Sequence, residues 1–197
     1  MVDYGAGNLY SVLKALTYLG ATTRVVRSGR DLDGIDRLVL PGVGAFGAAM
    51  RRLQEVGLVA PIREWLQADR PFLGICLGMQ LLMASSAESP GVRGFEWVPG
   101  TCVRFHARRV PQIGWNRIWP VRDDPLLNGV DAGSAVYFLH SYYLVPEDPT
   151  VVITETEYAD VRYASIIGRG RWRAVQFHPE KSGPVGLRIL RNWLEIK

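Results

Sequence analysis

Apolar residues at Leu9, Val12, Leu13, Leu16 and Leu19 recur at the spacing of one helical face, so the chain predicts a helix over residues 9–20. Asn8 suits its N-cap and Gly20 its C-terminal stop. A short strand at 23–27 and a second at 38–40, ended by Pro41-Gly42, come next. Residues 48–56 and 58–67 read as helices interrupted near Gly57 and Pro61. Phe72-Leu73-Gly74-Ile75 is apolar throughout, as in a central parallel strand buried on both faces, and a helix starting near Leu77 follows it.

The second half changes character. Residues 103–105, 116–121, 135–139, 151–158, 164–167 and 173–177 read as strands, with little helical periodicity before 184–196. In that last helix Leu187, Leu190 and Leu194, with Trp193 beside them, predict the face that packs on a sheet. The whole predicts one α/β domain over residues 1–197. Its central sheet is mixed, mostly parallel and flanked by helices, with an antiparallel portion in the second half.

Composition narrows the function classes. The 197 residues carry a net charge of +4, with 48% apolar and 21% charged residues, which is ordinary globular usage. The arginines are scattered in short clusters rather than in the dense stripe that nucleic acid requires, so no nucleic-acid partner is expected. Two distant cysteines, Cys76 and Cys102, make neither a disulfide framework nor a thiolate metal site, and no cofactor is indicated. The first residues lack a signal-peptide pattern and no apolar run is long enough to span a membrane, so a reducing cytoplasm is the expected setting.

Gly74-Ile75-Cys76-Leu77-Gly78 sets a cysteine between a buried strand and a helix, with glycine two residues to each side. This is the cysteine form of a nucleophile elbow, a turn too sharp for side chains at the flanking positions. The helix N-terminus would favour the reactive thiolate. Taken alone, such a cysteine is equally compatible with a buried structural role. Gln176-Phe177-His178-Pro179-Glu180 ends the last strand, and residues two apart in extended chain share a face. Glu180 can then orient His178, and His178 can deprotonate Cys76. His106 and His140 lack such a carboxylate; His140 follows an apolar strand and reads mainly as a satisfied core histidine. Oxyanion donors are expected at the backbone of Leu77 and at the Gly42-Val43 peptide, the latter after it reorients.

Together, P-G-V-G, G-I-C-L-G-M-Q and Q-F-H-P-E, in that order, resemble the class I (triad) glutamine amidotransferases over nearly the whole chain. The resemblance implies a flavodoxin-like fold of that class and glutamine hydrolysis by Cys76, His178 and Glu180. It also implies substrate contacts at Gly44, Gln80, Ser141 and Tyr142. Asp3 to Leu9, Arg109 to Asn116, His140-Ser141-Tyr142 and His178 to Gly183 are similar to one branch, the glutaminase subunit of imidazole glycerol phosphate synthase. In that branch the subunit passes ammonia to a (β/α)₈-barrel cyclase making imidazole glycerol phosphate and AICAR in histidine biosynthesis. Asn8, Tyr137, His140 and Lys181 match its partner-facing residues. The first strand is expected to be short, since only Met1 and Val2 precede D-Y-G. Two other enzyme readings stand beside this one: a class I glutaminase of another pathway, and a stand-alone cysteine hydrolase. A binding domain with a vestigial site is a further alternative.

Overall fold

The computed structural model describes residues 1–5 and 9–196. Helix and strand alternate as far as Gln80: α1 Leu9–Tyr18, β1 Leu38–Gly42, α2 Phe46–Glu55, α3 Val59–Gln67, β2 Phe72–Cys76 and α4 Leu77–Gln80. Strands then dominate, as β3 Met83–Ser86, β4 Val98–Arg104, β5 Gln112–Arg117, β6 Trp119–Pro120, β7 Ala135–His140, β8 Tyr142–Pro146, β9 Val152–Tyr158, β10 Val161–Arg169 and β11 Trp172–Val175. Helix α5, Gly183–Glu195, follows a 3₁₀ turn at Pro179–Lys181.

Six strands form one sheet in the order β1-β2-β11-β10-β9-β6. β2 lies parallel to β1 on one side and to β11 on the other, while β11, β10, β9 and β6 pair antiparallel. The expected mixed α/β sheet is thus present. β3, β4 and β8 form a second sheet, and β5 and β7 a third.

The apolar runs of the central strands are continuous because both sheet faces are covered. Leu38, Leu40, Phe72 and Ala174 turn to one face, where Phe46, Leu53, Ile62 and Trp65 of α2 and α3 cover them. Val39, Leu73, Ile75 and Val175 turn to the other, against Val12 and Leu16 of α1 and Ile189, Leu190 and Trp193 of α5. Alternate residues of one strand therefore enter two separate cores.

Several elements differ from the sequence reading. Residues 23–27 reduce to a single bridge, Val2 to Val26, because only the first three residues lie alongside to pair. The strand expected to be short at the start of the chain is, on its side, no more than this same bridge. The helix after Cys76 is one turn long, so it supplies little macrodipole to the sulfur. The buried face of α5 centres on Ile189, Leu190 and Trp193, with Leu187 and Leu194 only half-buried at its margins. The predicted strand at 116–121 splits at buried Ile118, leaving β5 and β6 in different sheets. β3 and β8 fall outside the predicted strands. Asn8, the expected N-cap, lies outside the described residues. Among the described residues no helix is long and apolar enough to cross a membrane.

Helix α4 sits directly on β1: a Cβ at Gly78 would overlap the Leu40 carbonyl oxygen. Gly78→Ala is accordingly expected to cost about 3 kcal/mol of stability through backbone overpacking. Denaturant unfolding measures this, and an unchanged midpoint would remove the steric account.

Candidate active site

The register of the parallel strands assembles the site. Gly42 at the end of β1 pairs with Cys76 at the end of β2, so the Pro41-Gly42-Val43-Gly44 loop and the cysteine share one sheet edge. Cys76 itself adopts φ 55° and ψ −110°, a strained backbone for a residue with a side chain. Gly74 and Gly78 permit it, because a Cβ on Gly74 would lie 2.8 Å from the Gly78 carbonyl oxygen. Cys76 is 6% exposed, and its sulfur lies 3.8 Å from the Leu139 carbonyl oxygen.

His178 follows β11, the other neighbour of β2, and its backbone N–H donates to the Tyr137 carbonyl at 2.9 Å. Its Nδ1 is 2.9 Å from Glu180 Oε1, with both side chains buried. Nε2 completes no regular hydrogen bond, and the group it interacts with is Cys76. Burial disfavours charge on this imidazole. The Cys76 sulfur and the Glu180 carboxylate outweigh burial and push its pKa up from 6.5 to about 10. The three residues expected to act together are therefore in one place, with His178 protonated at neutral pH.

A cavity of about 240 Å³ opens over the sulfur, lined on one wall by Val43, Gly44 and Leu77 and on others by Gln80, Ser141, Tyr142 and His178. All the expected oxyanion and substrate residues outside β1 thus border one space, and Gly44 has a positive φ, 96°. Gln80 donates through Nε2 to the Tyr142 carbonyl at 3.0 Å.

The expected partner-facing residues divide. Lys181 is exposed, its Nζ 5.9 Å from the ring centre of half-buried Tyr137. His140 is a correction: it is 6% exposed, with Nδ1 2.8 Å from the Tyr142 carbonyl and Nε2 3.3 Å from the Tyr163 hydroxyl. Burial pushes its pKa down to about 4, against the pull of the Tyr142 bond, so it is a neutral wall of the cavity rather than a surface group. Asn8 lies outside the described residues. Cys102 is buried, its thiol pushed up by burial, and donates to the Gln80 carbonyl at 3.8 Å, as a structural cysteine would.

Three features escaped the sequence reading. Glu88 is the one carboxylate among the cavity-lining residues, and it also accepts the Phe46 N–H at 2.6 Å. It lies in a loop, where no periodicity marks it. Ile113, Trp115, Tyr137 and Leu139 form cross-strand pairs on one face of β5–β7, and Ile113, Trp115 and Leu139 are exposed. The alternation in Gln112–Arg117 was the available signal. Gln176, inside the Q-F-H-P-E motif, is fully buried against Cys76.

A buried elbow cysteine paired with an oriented imidazolium, beside a loop at a neighbouring strand end, defines a thiol-dependent acyl-transfer enzyme. The chain belongs to the glutamine amidotransferase class-I family, whose model matches residues 1–196. It is 46% identical over 203 residues to the imidazole glycerol phosphate synthase subunit HisH of Geobacillus kaustophilus, covering 100% of this chain and 95% of that protein. It is 44% identical over 202 residues to the chloroplastic imidazole glycerol phosphate synthase hisHF of Arabidopsis thaliana, covering 100% of this chain and 34% of that longer protein. A solved glutamine amidotransferase has the same fold, with TM-score 0.78 at 19% identity, covering 99% of this chain and 96% of the other.

Because the sulfur raises the His178 pKa, the imidazolium's contribution to stability is complete below about pH 6.5 and is lost as pH rises through about 10. In Cys76→Ala the imidazole should titrate well below about 10, toward 6.5. Histidine NMR across that range decides it; a titration near 10 in both chains would detach His178 from the sulfur.

Proposed function

We propose that this chain is the glutaminase subunit of imidazole glycerol phosphate synthase. As a single domain in the cytoplasm, it would convert glutamine and water to glutamate and ammonia for a (β/α)₈-barrel cyclase in histidine biosynthesis. The observation that carries the chemistry is the buried Cys76–His178–Glu180 arrangement at the edge shared with Gly42. The identity to HisH proteins across the whole chain supports the pathway.

The Cys76 thiolate attacks the side-chain carbonyl carbon of glutamine, and the negative charge moves to the carbonyl oxygen. Backbone N–H groups of Leu77 and of Val43, once the Gly42-Val43 peptide has turned, receive that oxygen. As the C–N bond breaks, His178 gives its proton to the departing nitrogen, releasing ammonia. Water then attacks the thioester, passes a proton to His178, and the C–S bond breaks to restore thiolate and imidazolium. Glu180 keeps the imidazole in register and balances its charge. Gln80, Ser141 and Tyr142 position the substrate, and Glu88 is the natural partner for its α-ammonium group.

A second void, about 40 Å³, borders His178 and Glu180 and reaches Lys181. Leu139 of the exposed apolar face of β5–β7 also lines it. We assign that face, with Tyr137 and Lys181, to the cyclase, since contiguous exposed apolar side chains beside a site mark an interface. The plant relative, in which this chain matches 34% of a longer protein, is consistent with a second unit held next to a segment of this kind.

Cys76→Ser should abolish ammonia release, His178→Ala should be nearly as damaging, and Glu180→Gln less so. Glu88→Gln should raise KM for glutamine about tenfold with a smaller change in kcat, as expected for a lost ion pair. Steady-state assays, with and without a cyclase barrel, measure all four. Full activity in Cys76→Ser would end the glutaminase assignment. Tyr137→Ala and Lys181→Ala should weaken cyclase binding; normal titration and normal coupling in both would place the docking face elsewhere.

A further inference from the structure

Besides His178 and the Leu139 carbonyl, the sulfur of Cys76 has a side-chain amide as a polar neighbour. Gln176 donates through Nε2 to Sγ at 3.7 Å, within the range for a sulfur acceptor, and its side chain is fully buried. Strand register puts it there: β11 runs parallel to β2 with Val175 opposite Ile75, so the residues that follow are Gln176, just past the end of β11, and Cys76, the last of β2. Between Gln176 and His178, Phe177 enters the core.

The direction of this hydrogen bond is forced. The Tyr142 carbonyl can only accept, so the Gln80 atom 3.0 Å from it must be the amide nitrogen. That same nitrogen lies 3.1 Å from the Gln176 side chain, which must therefore present its oxygen. What remains for the sulfur is the Gln176 amide nitrogen, a donor. One backbone carbonyl thus sets the polarity of two glutamines in series and ends on the nucleophile.

We propose that Gln176 is a further catalytic residue of the glutaminase reaction: a neutral donor that stabilises the Cys76 thiolate and, through Gln80, fixes the amide that faces the substrate. The inference rests on the reading of Cys76 as nucleophile. A hydrogen bond to sulfur is strongest while the sulfur is anionic. Gln176 thus acts before attack and again when the C–S bond breaks and the electron pair returns to sulfur. It weakens while the sulfur is held in the thioester. His178 surrenders its proton during the cycle and cannot support the sulfur at every stage; an amide keeps both of its hydrogens.

The test compares Gln176→Glu, Gln176→Met and Cys76→Ser in the full chain, with iodoacetamide as the probe of the sulfur and no glutamine present. Gln176→Glu keeps an oxygen for Gln80 but removes the donor. It should slow Cys76 alkylation at neutral pH about tenfold or more, through the loss of one hydrogen bond to a charged atom together with the like charge now set beside it. Its alkylation profile should move to higher pH, and kcat should fall more than KM rises. Gln176→Met should lose both contacts and raise KM as well. A purely structural role would lower the melting temperature without displacing the pH profile. Should the buried variants not fold, the Gln176 side-chain amide resonance of the ¹⁵N-glutamine-labelled parent chain decides the matter. It should shift when the sulfur titrates or is alkylated. Parent-like alkylation in Gln176→Glu, or an amide resonance indifferent to the state of the sulfur, overturns the proposal while leaving the nucleophile assignment standing. Full activity in Cys76→Ser would instead overturn the assignment beneath it.

Discussion

The architecture of the cavity depends on how closely the turn after β2 can lie against β1. The Gly78 backbone is pressed on the Leu40 carbonyl, and Gly74 is pressed on Gly78. Only with both positions free of side chains can Cys76 hold its positive φ and stand at the strand end. That same approach aligns Gly42 with Cys76 and so puts the loop backbone next to the sulfur. A looser packing would leave every residue of the site present and none within reach.

The electrostatics follow from burial. Cys76, His178 and Glu180 are largely shut off from water, so the His178 imidazolium is held by its immediate neighbours, the Cys76 sulfur and the Glu180 carboxylate. With α4 only one turn long, the helix dipole contributes little, and discrete partners replace it. The neighbouring His140 shows the alternative outcome. It is buried without an opposing charge and is neutral.

The sequence made the centre of the fold legible because period-two and unbroken apolar runs are local signals. Leu38 to Leu40, Phe72 to Ile75 and the glycines around Cys76 each carry their meaning within a few residues. His178 and Glu180 are two apart on one short segment, but they meet through the 3₁₀ turn at Pro179–Lys181 rather than through the extended chain that the spacing suggested. What was hidden depends on partners distant in sequence. Glu88 reaches the cavity only because its loop folds over the start of α2, where it meets Phe46. Strand β8 exists because β4 pairs with it, and the strand at 23–27 all but vanishes because few residues lie beside it. The strand before His140 already favoured a satisfied core histidine over the partner-facing role that the resemblance implied, and Tyr163 and the Tyr142 carbonyl close over it.

The mixed sheet also has a kinetic consequence. The antiparallel run β9–β10–β11 joins residues close in sequence, and hairpins of this kind close at small entropic cost. The parallel pairing of β2 with β11 joins Phe72 to Trp172, 100 positions apart, and requires a long loop to close first. The proposed nucleophile sits on one of these strands and the base just beyond the other. The thiol therefore meets its activating imidazole only where that long-range pairing has formed. A partly folded chain carries an ordinary cysteine, and chemical reactivity arrives together with the native structure.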